Sequence, residues 1–439
     1  MSFDQMYDLG GNTRFNPRLL RQPPLPAELV DNRGKHKFIE QNLHKPLYEV
    51  AKSLGRKPEL WSKEKEVLLW PYWRAWWDWY KHDPSEFWRD CLFIVTKDGD
   101  LIPALDINYK KFARAQKRYY GRLMRQLREL GYVRMVVLKS RQVGSTSLCN
   151  GFTFHGTVFT PNQRHITLAD DKGKSQFITR YVRDWIMHES ELGLPAWLRP
   201  KLDYKAQDHL KFNGFEMLPV QTMSEYFVAH ADEAAGRSYG LRSVLGTEVA
   251  YWGRKGQQAV LGIKNTVSRT PNTVVLWEST GQGIGGAFYD ECRLAEQSLS
   301  GYDFLFIPWY LVDEYRFERD DPELRHFFGY GDDELRLWEN AFEAKLWHTP
   351  GLDLDVDEMQ LVTLKQDALD PYQILWRRWA IRNLCNNDLD KFRQEYPATP
   401  KEAFIGSGQP VFWQAYLLEQ LELAERRAVV CEYGDMMEV

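Results

Sequence analysis

From about residue 91 onward, short apolar runs alternate with stretches whose apolar positions recur at helical spacing. The runs at 133–138, 165–169, 226–229, 243–247, 273–277 and 304–308 predict strands, and the segments at 174–188 and 286–298 predict helices between them. Strands and helices in alternation are what a mainly parallel sheet flanked by helices requires. Past Trp309 the pattern turns acidic and helical, clearest at 332–345 and 371–384, which predicts a helical lid subdomain folding back on the sheet. Ahead of the core, Pro23, Pro24 and Pro26 punctuate an N-terminal helical or extended region that ends in a Trp-dense stretch. There Trp73, Trp76, Trp77 and Tyr80 fall at i, i+3, i+4 and i+7, the spacing of a packed helix face, although such rings can also stack on bases or dock a partner. The expected units are 1–90 (N-terminal region), 91–310 (core), 311–410 (lid and return) and 411–439 (start of a linker).

Composition narrows this only a little. A chain of 439 residues with 44% apolar and 27% charged residues buries a full core and excludes disordered and fibrous classes. No run of 18 apolar residues occurs, and the start Met1-Ser2-Phe3-Asp4-Gln5 has no secretory character, so no membrane role and a cytoplasmic setting are expected. The five cysteines, Cys91, Cys149, Cys292, Cys385 and Cys431, lie far apart, which argues against a zinc knuckle or a disulfide framework. Charge says more than the net value of −4. Residues 107–146 carry eleven Lys or Arg against Glu129 alone, whereas 311–360 carry fifteen Asp or Glu against five basic residues. A polyanion would meet the first segment; the plainer reading is two solvated helix faces.

The chemistry concentrates at Val136-Val137-Leu138-Lys139-Ser140-Arg141-Gln142-Val143-Gly144-Ser145-Thr146-Ser147. A buried strand running through a short polar loop into a helix start lets successive backbone N–H groups converge on an anion. Thr146 stands where a hydroxyl would ligate Mg²⁺. The pattern G-x-x-x-x-G-K-[ST] is not met, because Lys139 takes the first glycine position and Ser145 the lysine position. The cation for the β- and γ-phosphates of ATP then has to come from Lys139 and Arg141 at the loop entrance. Taken alone, the same residues also suit an ordinary strand–turn–helix junction.

Lys139 to Thr146 resembles the deviant Walker A loop of the large terminase subunits of tailed bacteriophages, in which the lysine moves to the beginning of the loop. Other segments resemble that family in the same order along the chain. Gln116 within Phe112-Ala113-Arg114-Ala115-Gln116-Lys117 is similar to its adenine-reading glutamine. Leu245-Gly246-Thr247-Glu248-Val249-Ala250-Tyr251-Trp252 is similar to its Walker B segment. Trp277-Glu278-Ser279-Thr280-Gly281, with Gly285-Gly286-Ala287-Phe288-Tyr289, is similar to its coupling motif. Phe306 to Tyr310 and Phe392 to Phe404 are also family-like. The resemblance implies a P-loop NTPase of RecA/ASCE-like fold that binds ATP and Mg²⁺ through Gln116, Lys139, Ser140, Arg141, Gln142, Val143, Gly144, Ser145, Thr146 and Thr280.

Hydrolysis needs a carboxylate at a strand end to orient the attacking water. Glu248 and the pair Asp232-Glu233 both satisfy position; the resemblance favours Glu248. One departure stands out, since Thr247 occupies the Walker B aspartate position and leaves Mg²⁺ without that ligand. Arg237, in the turn Gly236-Arg237-Ser238-Tyr239-Gly240, suits an arginine that meets charge on the transferred phosphoryl group, and in the family a matching arginine acts in trans. Arg242 is the alternative, and a plain surface arginine is the bland one. Ser279, Thr280 and Gly281 form either a γ-phosphate sensor or a simple strand-end turn.

The resemblance further implies a motor that translocates double-stranded DNA, with a portal protein and a small terminase subunit as partners. It also implies a homo-pentamer on the procapsid, in the host cytoplasm. Large terminases commonly add a C-terminal nuclease; Val439 follows soon after Phe404, so nuclease activity is not expected of this chain. The acidic group Asp353, Asp355, Asp357 and Glu358 reads as a solvated face rather than a metal site. The competing readings are another P-loop ATPase of kinase or helicase type and a non-catalytic scaffold with a degenerate loop.

Overall fold

The computed structural model describes residues 77, 80–95, 101–103, 114–186, 194, 198–205, 209–215, 220–231, 240–346, 354–365 and 369–405. The expected N-terminal region up to residue 76, Asp232, Glu233, Arg237, Asp353, Cys431 and the 411–439 segment lie outside the described residues.

Helix α1 (Pro84–Cys91) starts at Asp83, whose carboxylate accepts from Ser85 N at 3.1 Å, with Pro84 in the first turn where no N–H is needed. A short antiparallel hairpin follows, β1 (Phe93–Val95) with β2 (Leu101–Pro103). Then come α2 (Arg114–Glu129), β3 (Val133–Lys139), α3 (Ser145–Phe159), β4 (Arg164–Ala169), α4 (Lys172–Ile186), β5 (Pro200–Lys205), β6 (His209–Phe215) and β7 (Ser224–His230). The core closes with β8 (Ser243–Thr247), α5 (Gly253–Thr266), β9 (Val274–Ser279), α6 (Ala287–Glu296) and β10 (Asp303–Ile307).

Strands β3 to β10 form one eight-stranded sheet in the order β10-β3-β9-β8-β4-β7-β6-β5. The first six are mutually parallel; β6 extends the edge antiparallel to β7, and β5 pairs antiparallel with β6. This is an α/β, mainly parallel sheet, with β9 inserted between β3, which leads into the 140–144 loop, and β8, which leads to Glu248. All six expected strands form, with ends shifted by up to two residues. The β5–β6 hairpin was not legible, because Lys201, Asp203, Lys211 and Asn213 interrupt any apolar run.

All seven residues of β3 are buried, as a central parallel strand demands. Val133, Met135 and Val137 enter the core under α2, α3 and α4, while Val136 and Leu138 enter the second core under α5 and α6. Trp77 and Tyr80 also belong to the first core; Trp77 meets Phe159 with ring centroids 5.6 Å apart, so these two rings of the Trp-dense stretch pack rather than project.

After β10 the chain is helical: α7 (Pro322–Phe328), α8 (Asp332–Glu343), α9 (Val356–Lys365), α10 (Pro371–Asn383) and α11 (Leu389–Glu395). Helix α10 begins with a capping box, Asp370 accepting from Gln373 N at 3.0 Å and Gln373 reaching back to Asp370 N at 3.3 Å. An aromatic cluster holds these helices to the end of β10: Trp309 stacks on Trp376 at 5.6 Å, Tyr315 on Trp376 at 4.4 Å, and Phe392 on Tyr396 at 5.2 Å. The expected solvated acidic face is corrected here. Glu358 is 1% exposed and bonded to Arg377 at 3.3 Å and Arg378 at 2.7 Å, and Asp357 meets Arg393 at 2.6 Å. These carboxylates clamp α9 to α10 and α11.

Several residues of the basic run pair with acids of this chain, although only Arg134 and Lys139 among the described ones are buried. Arg114 pairs with Asp313, Arg122 with Asp303, Lys139 with Glu248 and Arg141 with Glu395. Arg134 is buried and donates to the carbonyls of Val133, Val267, Ser268 and Thr273. The Arg122–Asp303 pair is bidentate but about a third exposed, so Arg122→Ala is expected to lower stability by less than about 1 kcal/mol in urea unfolding. Among the described residues no helix is long and apolar enough to cross a membrane.

A candidate nucleotide site at the phosphate loop

At its carboxyl end β3 leaves the sheet through residues 140–144 and enters α3. The loop is tied at both shoulders: Ser140 N donates to Ile307 O at 2.9 Å, and Arg141 N to Glu395 O at 2.9 Å. The turn needs left-handed backbone at Gln142 (φ 55°) and Gly144 (φ 69°). Gly144 is also required by packing, since a Cβ there would lie 2.0 Å from Gln116 Nε2, which donates to Gly144 O at 3.3 Å. A cavity of about 890 Å³ opens above the loop, and Lys139, residues 141–146, Lys174, Phe177, Thr247, Glu248, Tyr251, Thr280 and Glu395 are on its wall. The amino end of α3 faces this space and favours negative charge there. The hydroxyl of Ser140, fully buried in the loop, has no hydrogen-bond partner among the described residues. A positively biased cradle with spare donors fits a nucleotide's phosphates.

Across the cavity from the loop, β8 ends at Thr247 and the chain turns sharply. Glu248 takes a left-handed backbone conformation, φ 53° and ψ 43°, and starts the 3₁₀ turn Val249–Tyr251. A non-glycine residue held there costs on the order of 1–3 kcal/mol and marks an over-determined position. Its carboxylate is fixed at both oxygens: Lys139 Nζ donates to Oε1 at 3.0 Å, while Ser279 Oγ at 3.3 Å and Thr280 N at 3.4 Å donate to Oε2. Burial acts to raise the Glu248 carboxyl, but the Lys139 ammonium outweighs it and holds the group below the ordinary carboxylate value. Burial likewise acts to lower Lys139, and Glu248 with Glu278 reverses this, so its ammonium is held above the ordinary lysine value. Both partners are charged at neutral pH.

The other expected residues fall around this pair. Thr280 lines the cavity and its hydroxyl meets Tyr251 OH at 3.1 Å. Ser145 and Thr146 open α3; Ser145 is buried, and Thr146 is half-buried with its carbonyl accepting from Asn150 at 2.7 Å. Arg141 reaches outward to Glu395 at 3.2 Å, and Tyr315 OH donates to the Arg141 carbonyl. Gln116 packs behind the loop on the Gly144 carbonyl rather than on the cavity wall. Arg242 is at the wrong end of its strand: it sits just before β8, bonded to Pro271 O at 3.0 Å and Gln163 at 3.3 Å, while Glu248 follows the opposite end.

No family model matches the sequence, and no curated protein matches it. Solved structures do. In fold, the chain is similar to phage large terminases. The Thermus phage P74-26 large terminase ATPase domain aligns with 47% of this chain and 86% of its own, at 15% identity and a TM-score of 0.31. The HK97 bacteriophage large terminase aligns with 65% of this chain and 51% of its own, at 13% identity and a TM-score of 0.39. The large terminase of a thermophilic bacteriophage, solved in complex with ATP-gamma-S, aligns over 50% of each chain at 12% identity and a TM-score of 0.35. This chain thus spans about half the length of the latter two proteins.

Sequence reasoning passed over four residues at the site. Glu395 and Tyr315 come from the helical segment after β10 and meet the loop only through the fold. Lys174 lines the cavity from α4, paired with Asp170 at 2.6 Å. Glu278 is the most telling. It is a carboxylate with no exposed surface inside the apolar run of β9, and Thr247 Oγ1 donates to its Oε1 at 3.0 Å. Burial pushes this carboxyl up, against the nearby Lys139 ammonium and with the Glu248 charge adding to it. A lone Glu after Val-Val-Leu-Trp was the available signal.

Proposed function

We propose that this chain is an ATP-hydrolysing motor that translocates double-stranded viral DNA into a procapsid, acting as the ATPase part of a large terminase. The observation that carries the reading is the Lys139–Glu248 pair, which joins the phosphate loop to a strained strand-end carboxylate across one cavity. In this reading the loop N–H groups and the amino end of α3 cradle the β- and γ-phosphates, and the Ser140 hydroxyl finds its acceptor there. Lys139 supplies the cation missing from the Ser145 position, and Arg141 joins it on exchanging Glu395 for a phosphate oxygen. Glu248, released from Lys139 as the ammonium turns to the γ-phosphate, orients the attacking water. Thr280 N, already bonded to that carboxylate, makes the β9 end responsive to the same event. Thr146 would hold Mg²⁺, which would supply neutralising positive charge to the phosphates when bound. Arg237 is proposed as the arginine that meets the transferred phosphoryl group, from this chain or from a neighbour in the ring.

Double-stranded DNA, a portal protein, a small terminase subunit and a pentameric assembly belong to the same proposal, on the strength of the motif resemblance. Binding to DNA is expected through phosphates, tolerant of sequence and weakened by salt. Phosphate release measured with and without duplex DNA tests the reading. Wild type is expected to turn over ATP faster with DNA, and Arg141→Ala to lower kcat by about 10²-fold. Hydrolysis indifferent to DNA and to Arg141→Ala would leave a different P-loop ATPase, and no nucleotide binding at all would leave a scaffold.

A further inference from the structure

Among the described residues three cations stand on the cavity wall, and each is paired with an acid of this chain: Lys139 with Glu248 at 3.0 Å, Arg141 with Glu395 at 3.2 Å and Lys174 with Asp170 at 2.6 Å. The first two border the phosphate loop, whereas Lys174 comes from α4. The sheet brings it there. β4 leads into α4 and pairs with β8, and their last register pair, Leu168 with Gly246, lies two residues before Asp170 on one strand and two before Glu248 on the other. β3 is on the far side of β8, beyond β9, so Lys139 and Lys174 approach Glu248 from opposite directions. The Asp171 carboxylate accepts from Lys174 N at 2.9 Å and so fixes Lys174 in the first turn of α4. From there Lys174, Phe177 and Ile178 fall at i, i+3 and i+4, one helix face, and all three line the cavity. Burial acts to lower the Lys174 ammonium, but Asp170, with the Glu248 charge adding to it, outweighs burial and holds the group above the ordinary lysine value. An ammonium has three donors, and Asp170 takes one of them.

We infer that Lys174 is a further cation for the terminal phosphate of the bound nucleoside triphosphate, acting from within the same chain, with Asp170 as its positioning residue. The inference rests on the nucleotide reading given above. In that reading the loop and α3 hold the phosphates from one side and Glu248 orients the water on the other, so a phosphate oxygen beside Glu248 belongs to the γ-group. Lys174 keeps its bond to Asp170 and donates another N–H to that oxygen, so no carboxylate is stranded. During hydrolysis the water oxygen bonds to the γ-phosphorus while the bond from that phosphorus to the β–γ bridging oxygen breaks; the electron pair leaves with ADP and the water's proton passes to Glu248. Lys174 meets the charge on the γ-oxygens and neither gains nor loses a proton. Phe177 and Ile178 give the ammonium an apolar flank, where a charged contact is worth more than in open water. A diphosphate presents no γ-oxygen to Lys174, so this residue favours the triphosphate over the product.

The test compares binding of a non-hydrolysable ATP analogue and of ADP to the full chain by titration calorimetry, alongside single-turnover phosphate release at saturating ATP. Lys174→Ala is expected to weaken the analogue about 10-fold and to slow phosphate release about 10–100-fold, while ADP affinity stays within about two-fold of wild type. Lys174→Arg, which keeps the charge, is expected to recover most of both losses. Asp170→Asn, which loosens the ammonium without removing it, is expected to show the same pattern to a smaller extent. Arg180→Ala, exposed on α4 and off the cavity wall, is expected to match wild type. Wild-type analogue affinity and rate in Lys174→Ala overturn the assignment. So does a loss shared equally by ADP or by Arg180→Ala, which would mark a general effect of charge. An exposed i,i+4 pair adds little to stability, so the variant should fold; if it does not, Lys174→Gln decides by the same criteria. A wild-type chain that binds neither the analogue nor ADP removes the nucleotide reading and this inference with it; analogue binding that ignores Lys174 removes the inference alone.

Discussion

Glu248→Gln is expected to lower ATP turnover by about 10²–10⁴-fold while nucleotide affinity stays within a few-fold of wild type. The amide keeps the shape that fits the left-handed turn, and its one oxygen can still accept from Lys139 on one side or from Ser279 and Thr280 on the other, so part of the anchoring that holds the turn is retained. What it cannot do is orient and deprotonate a water. Single-turnover phosphate release separates this from a binding defect, and a variant retaining more than a tenth of the wild-type rate would reassign the base. The pH profile adds a second check. In the free chain Lys139 holds the Glu248 carboxyl below its ordinary value, so the group is ionised throughout the neutral range. Once the ammonium turns to the γ-phosphate that hold is lost and burial is left to raise the carboxyl. The acid limb of kcat is therefore expected at higher pH than the acid limb of kcat/KM, which reports the free protein.

Lys139→Ala is expected to have the other large effect, on binding and on stability together. The loop has no lysine at its usual position, and Ser145 carries no charge, so removing Lys139 strips the phosphates of their nearest buried cation. Loss of about 10²-fold or more in nucleotide affinity is the expected order for one such contact, read by titration calorimetry. The substitution also leaves Glu248 without its counter-charge, which destabilises by about 3 kcal/mol, at the lower end for a buried pair because the carboxylate is partly exposed. The sign of its pH dependence follows from the two shifts. Glu248, held low, contributes stability that is present above the ordinary carboxyl value and lost as pH falls through its own lower value. Lys139, held high, contributes stability that is present below the ordinary lysine value and lost as pH rises through its own higher one. Wild type and Lys139→Ala should therefore differ most at neutral pH and converge in acid, when the stranded carboxyl protonates. A gap that does not close in acid would show that the ion pair is not its origin.

The strands were legible because central parallel strands are apolar on both faces, and the helices α8 and α10 because their caps and spacing are local. The loop was legible for the same reason: strand, polar turn and helix start follow one another in the chain. What escaped depends on contacts distant in sequence. Glu395 comes to Arg141 only because α11 returns to β3, and Glu358 is buried only because Arg377 and Arg378 enclose it, so its acidic neighbourhood looked solvated. Gln116 was assigned to the base of the nucleotide from resemblance alone; the fold brings it to the phosphate-loop segment, where it donates to the Gly144 carbonyl. Glu278 lay within a motif already singled out, yet its partnership with Thr247 exists only across the β8–β9 ladder.

One backbone contact beside the cavity sets how force can pass through the molecule. At Gly281, just past Thr280, a methyl group would come within 1.9 Å of the Ala403 carbonyl, so two backbones touch there with no side chain between them. Gln394 adds a bond to the Gly281 carbonyl at 3.3 Å. Side chains yield by changing rotamer; bare backbone does not. The contact is therefore built as a strut: a push of the Thr280 end of β9 toward Ala403 has no side chain to absorb it and bears directly on the returning 394–404 segment.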